Sequence, residues 1–291
     1  MNGYADEAIQ LLEKQVDVHP DDGEAQLLLC RAYFAEQQVD RAIPHCEAAD
    51  RVMPNSSSAH DWMGRVYGMK ASNAGPISGL KLAHQVREAF EAAFSLDTRN
   101  AEAANDLAEF YIDAPPLVGG GLEKAEQLAN RIAGDLPQSA HRIRAMVAVK
   151  RKDYDTAERE YRAAISVANA PAAWVDLGGF YKARRRTADA VTALQRAIDL
   201  DASRDSALVD AASYLMDMHL QPNVAMNALD RYLSGDSKSD AAPVIWVYVL
   251  LGRLQQSNGN NAAAREEFNK ALQLAANYGP ALKALKALQG A

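Results

Sequence analysis

The sequence predicts an all-α protein in which helices recur in pairs, and three observations support this prediction. Between Trp174 and Ala202, apolar or small residues fall at offsets 0, 3, 4 and 7, the spacing of one helical face, and the pattern resumes after a polar turn. The residues that form it are Trp174, Leu177, Gly178, Tyr181, Ala190, Leu194 and Ala197. Pro20 and Pro54, each placed after a helical pattern, lie 34 residues apart. Finally, only 17 glycines and 11 prolines interrupt a chain that is 48% hydrophobic.

Charge and hydropathy argue against some classes of binding partner. The formal net charge is -7 and no long basic run occurs, so binding to nucleic acid or to an anionic membrane surface is disfavoured. No stretch approaches the ~18 consecutive apolar residues of a transmembrane helix. We therefore expect no nucleic-acid partner and no direct insertion into a membrane.

The spacing of Trp174, Leu177, Gly178 and Tyr181, followed by Ala190, resembles the signature of the tetratricopeptide repeat. This resemblance implies a right-handed α-α superhelix, a solenoid of about seven to eight helix pairs with a C-terminal capping helix. The insertions between residues 59 and 137 are similar to those of a bacterial subgroup of such proteins that has no assigned activity. Members of that subgroup are often exported.

We predict that residues 1–291 form a single array. It comprises a half repeat at 1–22, seven repeats at 23–56, 57–100, 101–137, 138–170, 171–204, 205–244 and 245–278, and a capping helix at 279–291. The repeat at 205–244 is degenerate, and two others carry insertions at 70–84 and 114–121. The first insertion contains Gly75 and Pro76, which predicts a lengthened first helix, a turn and an early start of the second helix.

The N-terminal residues match the second helix of a repeat and show no basic segment followed by an apolar run. Either the array begins with a half repeat or residues before it have been removed. Both a cytoplasmic protein and one exported to the bacterial periplasm fit the sequence, and the second fits a removed leader. Two cysteines are too few for a disulfide framework, so we expect Cys30 and Cys46 to be buried, reduced thiols.

Signatures of catalysis are missing from the sequence. The six histidines form no spacing typical of a metal site, and no Gly-x-Ser-x-Gly motif occurs. Gly119 to Gly121 are not followed by Lys-Ser or Lys-Thr, as a phosphate-binding loop would require. We expect a non-catalytic protein without a metal or cofactor.

The resemblance also implies that the first helix of each pair lines a concave groove that binds a partner. Carried over to this chain, the groove positions are Arg31, Phe34, Asp61, Trp62, Arg65, Asn105, Asp106, Glu109, Asp113, Arg142, Lys150, Asp176, Lys182, Asp210 and Asp217, and the series ends at Trp246, Val249 and Arg253.

Two parts of this predicted groove stand out. Aromatic and arginine side chains around Phe34 and Trp62 have the composition of an interaction hot spot, although Trp62 is equally consistent with a structural role. The acidic group Asp106, Glu109 and Asp113 would suit a basic or amino-terminal segment. Acidic residues also occupy the positions at which some family members bind acidic chaperone tails, which argues against that ligand.

The function that these features favour is a non-catalytic scaffold that binds a protein or peptide, an adaptor in a multiprotein assembly. One alternative is a structural protein that self-associates through the uncapped half repeat, where Ala8, Leu11 and Leu12 share a face. Another is an accessory subunit of a bacterial envelope enzyme or secretion machine. The identity of the partner does not follow from the sequence.

Overall fold

A computed structural model describes residues 5–236 and 238–289, and all the regular structure within these ranges is helical. The α-helices are α1 (Ala5–Val18), α2 (Gly23–Ala35), α3 (Val39–Val52), α4 (Ser57–Ser72), α5 (Pro76–Leu96), α6 (Ala101–Asp113), α7 (Leu122–Ile132), α8 (Pro137–Lys150), α9 (Tyr154–Val167), α10 (Pro171–Ala183), α11 (Thr187–Leu200), α12 (Ser206–Asp217), α13 (Pro222–Ser234), α14 (Val244–Ser257), α15 (Asn261–Leu274) and α16 (Gly279–Gln289). A short 3-10 helix, Pro116–Val118, lies between α6 and α7.

Contacts divide the chain into two compact units. The N-terminal unit comprises residues 9–34 and 38–168, and the C-terminal unit comprises the described residues of 169–289 with 5–8 and 35–37. In the N-terminal unit α4 packs on α5, α6 on α7 and α8 on α9, and the first helices α4, α6 and α8 also contact one another in series. In the C-terminal unit the first helices likewise contact one another in series, in the order α10, α12, α14 and α16. Because successive first helices approach each other, we regard their shared face as the inner surface of each unit.

Glycine allows the paired helices to approach closely. A Cβ atom added at Gly64 would lie 2.4 Å from the ring of Phe90, and one at Gly252 would lie 2.3 Å from the ring of Phe268. At Gly178 the added atom would lie 2.6 Å from Leu194. The small residue of the repeat pattern is therefore required by the bulky residue that faces it on the second helix.

A second recurring contact joins α4 and α6 to the helix before each of them. The hydroxyl of Tyr67 donates to Glu47, and the hydroxyl of Tyr111 donates to Glu91, at 2.9 Å in both cases. The two partners are 20 residues apart in each pair. Burial raises the pKa of both tyrosines, and the adjacent carboxylates raise it further, so these hydroxyls stay protonated and act as donors.

The two insertions are ordered parts of the N-terminal unit. Helix α4 ends at Ser72 and α5 begins at Pro76 after a turn, so the first insertion is mostly helical. In the second, the side chain of Val118 is buried and Lys124 Nζ donates to the carbonyl of Gly119 at 2.8 Å. A Cβ atom at Gly120 would lie 1.8 Å from the carbonyl oxygen of Ala114, so this position requires glycine.

Cys30 and Cys46 form a disulfide bond, and the expectation of two reduced thiols is wrong. The cysteines lie at facing positions on α2 and α3, with both side chains fully buried. Their Cα atoms are 5.1 Å apart, within the ~4.4–6.8 Å that a disulfide spans. Residue spacing placed the two cysteines in one repeat but carried no information on this distance.

No helix among the described residues combines the length and the apolar character needed to cross a bilayer.

Candidate functional site

Ion pairs between neighbouring first helices cover the inner surface of the N-terminal unit. Arg142 on α8 contacts Glu109 on α6 at 2.8 Å, and Lys150 contacts Asp113 at 2.7 Å. Arg65 on α4 is the centre of a larger group of ion pairs. The acidic set that the sequence suggested is therefore divided among several basic partners.

Arg65 contacts three carboxylates, which we call with it the Arg65 cluster. Its Nε atom lies 2.5 Å from Asp106 and its Nη2 atom 3.2 Å from Glu102, both on α6. The same Nη2 atom lies 3.1 Å from Asp61, one turn earlier on α4. Glu109 and Asp113 are thus paired one to one, whereas three carboxylates share the single guanidinium of Arg65.

Asp61 is the most deeply buried carboxylate of this cluster. Only 2% of the residue is exposed, and its Oδ1 atom has no hydrogen-bond partner. Burial raises the pKa of Asp61 to about 7, although the charge of Arg65 acts in the opposite direction. Burial likewise raises the pKa of Asp106, again against the effect of Arg65. Next to Asp106, the side chain of Asn105 also has a buried Oδ1 atom without a partner.

The predicted aromatic and arginine residues do come together around Trp62. The guanidinium of Arg65 lies 4.8 Å from the centre of the indole and that of Arg31 lies 5.5 Å from it, and Phe34 makes an edge contact at 5.4 Å. Only 5% of Trp62 is exposed. The indole therefore packs within the unit, and the surface available to a partner is provided by the arginines and Phe34 around it.

The C-terminal unit repeats parts of this arrangement. Lys182 on α10 contacts Asp217 on α12 at 2.5 Å. Asp210 is exposed, yet desolvation by the surrounding protein raises its pKa to about 6, with further contributions from the charges of Asp176 and Asp205. Val249 is fully buried, so its expected position in the groove is wrong: it faces the core of α14 and α15.

A cavity of about 530 Å³ lies on the inner side of the C-terminal unit between α12 and α14. It combines apolar and charged side chains, among them Met216, Asp217, Trp246, Leu250, Arg253 and Leu254. The guanidinium of Arg253 lies 4.9 Å from the centre of the Trp246 ring. Sequence reasoning placed Trp246 and Arg253 in the groove. It missed Met216, which lies on α12 outside the groove positions of the repeat, and the turn after α12, because turn residues have no fixed register.

The self-association face predicted on α1 is only partly open. Leu11 is 68% exposed, whereas Leu12 packs against the core of the N-terminal unit. As for metals, the side chains of the described residues form no group of three or more potential ligands.

Comparison with family models gives three matches, all described as tetratricopeptide repeat. They cover residues 1–65, 144–207 and 247–278, together more than half of the chain. No curated protein sequence gives a significant match.

Solved structures of similar fold agree with these matches. Yeast Tom70 is 15% identical with a TM-score of 0.58 over 98% of this chain, and a chain of the APC/C hetero-tetramer Cut9-Hcn1 is 16% identical with a TM-score of 0.50 over 87%. This chain spans only 58% and 46% of those two proteins, respectively. A tetratricopeptide repeat protein from Parabacteroides merdae ATCC 43184 is 16% identical, with a TM-score of 0.44, and the match covers 92% of this chain and 98% of that one.

The helix pairs, the small residues that allow them to pack and the three family matches lead to one assignment. The fold is an all-α solenoid, and the chain belongs to the tetratricopeptide repeat family.

Proposed function

We propose that this protein is a non-catalytic scaffold that binds a protein or peptide segment on the inner surface of its first helices, as an adaptor in a multiprotein assembly. The observation that carries this proposal is the cavity between α12 and α14. Its volume falls in the range of ~300–1,000 Å³ that is typical of ligand sites. Such a cavity accommodates one or two side chains of a longer segment that continues along the groove.

The lining of the cavity suits a peptide. Leu250 and Leu254 offer apolar contact, while Arg253, held against the face of Trp246, offers a donor whose position is fixed. Tryptophan and arginine are the residues that most often dominate binding energy at protein interfaces. Binding by strand addition requires a sheet edge, and the described regular structure is entirely helical. A segment would therefore bind through its side chains in a groove.

We also propose that the protein operates in an oxidising compartment, such as the bacterial periplasm. The support is the buried disulfide between Cys30 and Cys46, because disulfides are rare in reducing cytosol. Mass spectrometry of protein isolated from its native host, with free thiols alkylated during lysis, would show both cysteines unmodified if this is right. Alkylation of both would contradict it.

Photo-crosslinking tests the scaffold function. A photoreactive amino acid at Ser257, an exposed residue at the rim of the cavity, should give peptide or protein adducts in the native host. The same probe at Glu266, exposed on the second helix α15, is the control and should give few. Arg253→Glu should reduce the yield at residue 257 about fivefold or more, as expected when a central arginine is lost. Equal adducts at 257 and 266 would contradict the proposal.

A further inference from the structure

We infer that the Arg65 cluster is a binding site for one lysine side chain of the partner segment. Asp61, Glu102 and Asp106 would surround the ammonium group. This inference rests on the proposed scaffold function and specifies the chemistry of its partner. It places a cationic anchor on the inner surface of the N-terminal unit.

The local balance of charge favours a second cation at the cluster. The charged groups that act on Asp61 are Arg65, Asp106 and Glu102, so with all groups ionised the cluster has one positive charge against three negative charges. The other acidic residue beside Asp106 is Glu109, which already has Arg142 as its partner. Excess negative charge therefore collects at this one point, and a second cation would relieve it.

One buried oxygen atom of the cluster also lacks a partner. Oδ1 of Asp61 is buried and has no hydrogen-bond partner. Buried polar atoms are normally paired, and leaving a buried acceptor unpaired is unfavourable. When Asp61 is ionised this atom is an acceptor, so the group that completes the site is then a donor. The excess negative charge requires that donor to be a cation.

Lysine is favoured among cations. In the part of the chain that the structure describes, no set of side chains suits a metal ion, which leaves an organic cation. The side chain of Asp61 is 3% exposed, whereas that of Glu102 is 75% exposed. A compact ammonium group with three donors on a flexible four-carbon stem can pass Glu102 and reach a recessed acceptor. A planar guanidinium prefers an open, bidentate carboxylate, and here Arg65 already occupies the face of Asp106.

The proton on Asp61 provides an independent readout. Burial raises the pKa of this carboxyl to about 7 in the free protein, with Arg65 on α4 and Glu102 and Asp106 on α6 as the charged groups facing it. A bound ammonium favours the ionised carboxylate, so binding should release a proton near neutral pH. The affinity for lysine should therefore fall as the pH is lowered below 7.

The experiment uses the full chain and fluorescence anisotropy at low salt. The probe is an octapeptide of alternating alanine and lysine, acetylated at its amino terminus and amidated at its carboxyl terminus. Glu102→Gln should weaken its binding about threefold and Asp61→Asn about tenfold, since exposed charge pairs contribute less than buried ones. Glu88→Gln on α5 removes the same charge from another exposed site and should change the affinity less than twofold.

Several outcomes would overturn the inference. Equal losses in Glu102→Gln and Glu88→Gln would show that only the net charge matters. An alanine–arginine octapeptide that binds as tightly would contradict the selection of lysine. A lysine-free peptide with an unblocked amino terminus that binds equally well would identify a chain terminus as the ligand instead. If the lysine peptide does not bind but adducts still form at residue 257, only this site is refuted. If no adducts form at residue 257, the scaffold function is refuted.

Discussion

Gly64 and Gly68 lie one turn apart on α4 but have opposite surroundings. A Cβ atom at Gly64 would lie 2.4 Å from the Phe90 ring, whereas no atom lies within 4 Å of one at Gly68. A methyl group must therefore push the helices apart at the first position and meets open space at the second. Gly64 occupies the same position of the repeat pattern as Gly178, whereas the pattern assigns no role to Gly68.

This contrast predicts opposite effects of one substitution. Gly64→Ala should lower the free energy of unfolding by about 1–3 kcal/mol through overpacking. Gly68→Ala should raise it by about 0.5–1 kcal/mol, because alanine loses less backbone entropy in a helix. Urea titration followed by circular dichroism measures both. A stable Gly64→Ala protein would show that α4 and α5 are not packed as described.

Other single-residue features could not be obtained from the sequence. Asp106, Glu109 and Asp113 form one acidic group along α6 when only the sequence is considered, yet each contacts a different basic residue. The basic partners lie 33 to 41 residues away, so they depend on how neighbouring helices pack. Composition cannot distinguish a carboxylate that is neutralised by its own basic partner from one that lies in a cluster with excess negative charge. This distinction decides where a cation binds.

The positions of individual helices were easier to predict from the sequence, because helix ends depend on local signals. Pro76, Pro137, Pro171 and Pro222 each occupy the first turn of a helix, and Asn100 caps α6 by accepting from the amides of Glu102 and Ala103. Contacts between helices could be predicted from the sequence only in part. The 20-residue spacing of Tyr67 with Glu47 and of Tyr111 with Glu91 is present in the sequence, but it is recognisable only when the contact is known.

The junction of α4 and α6 predicts a pH-dependent stability. The folded state holds a proton on Asp61 up to a pKa of about 7, whereas an unfolded aspartate releases it near ~3.9. Stability from this group is therefore complete below about pH 4 and is lost as the pH rises towards about 7. Asp61→Asn removes the titration, so the stability of the variant relative to the wild type should increase by about 1–3 kcal/mol between about pH 5 and about pH 8.

Urea unfolding of both proteins at the two pH values measures this shift. Glu88→Gln serves as the control, because Glu88 is exposed and its replacement should change the relative stability little between the two conditions. A constant difference between Asp61→Asn and the wild type across this range would show that Asp61 is ionised throughout.

At the scale of the whole chain, most contacts among helices are short in sequence. Within each unit a first helix packs on its second helix and on the next first helix, and a second helix packs on the first helix that follows it. The stability of such an array is approximately a sum of terms within and between adjacent repeats, unlike that of a protein with one central core. The repeated sequence pattern predicts this property directly, because each copy carries its own packing residues.

Local stability should therefore respond locally to a core substitution. Gly252→Ala places a methyl group against the Phe268 ring and should speed amide hydrogen exchange in α14 and α15, while α4 and α5 keep their wild-type rates. Gly64→Ala, the equivalent change in the N-terminal unit, should give the reverse pattern and serves as the matched control. Both patterns are measured by hydrogen exchange with mass spectrometry. Faster exchange throughout the chain in either variant would mean that the repeats open in a single cooperative step, so that binding at one repeat would be sensed by all of them.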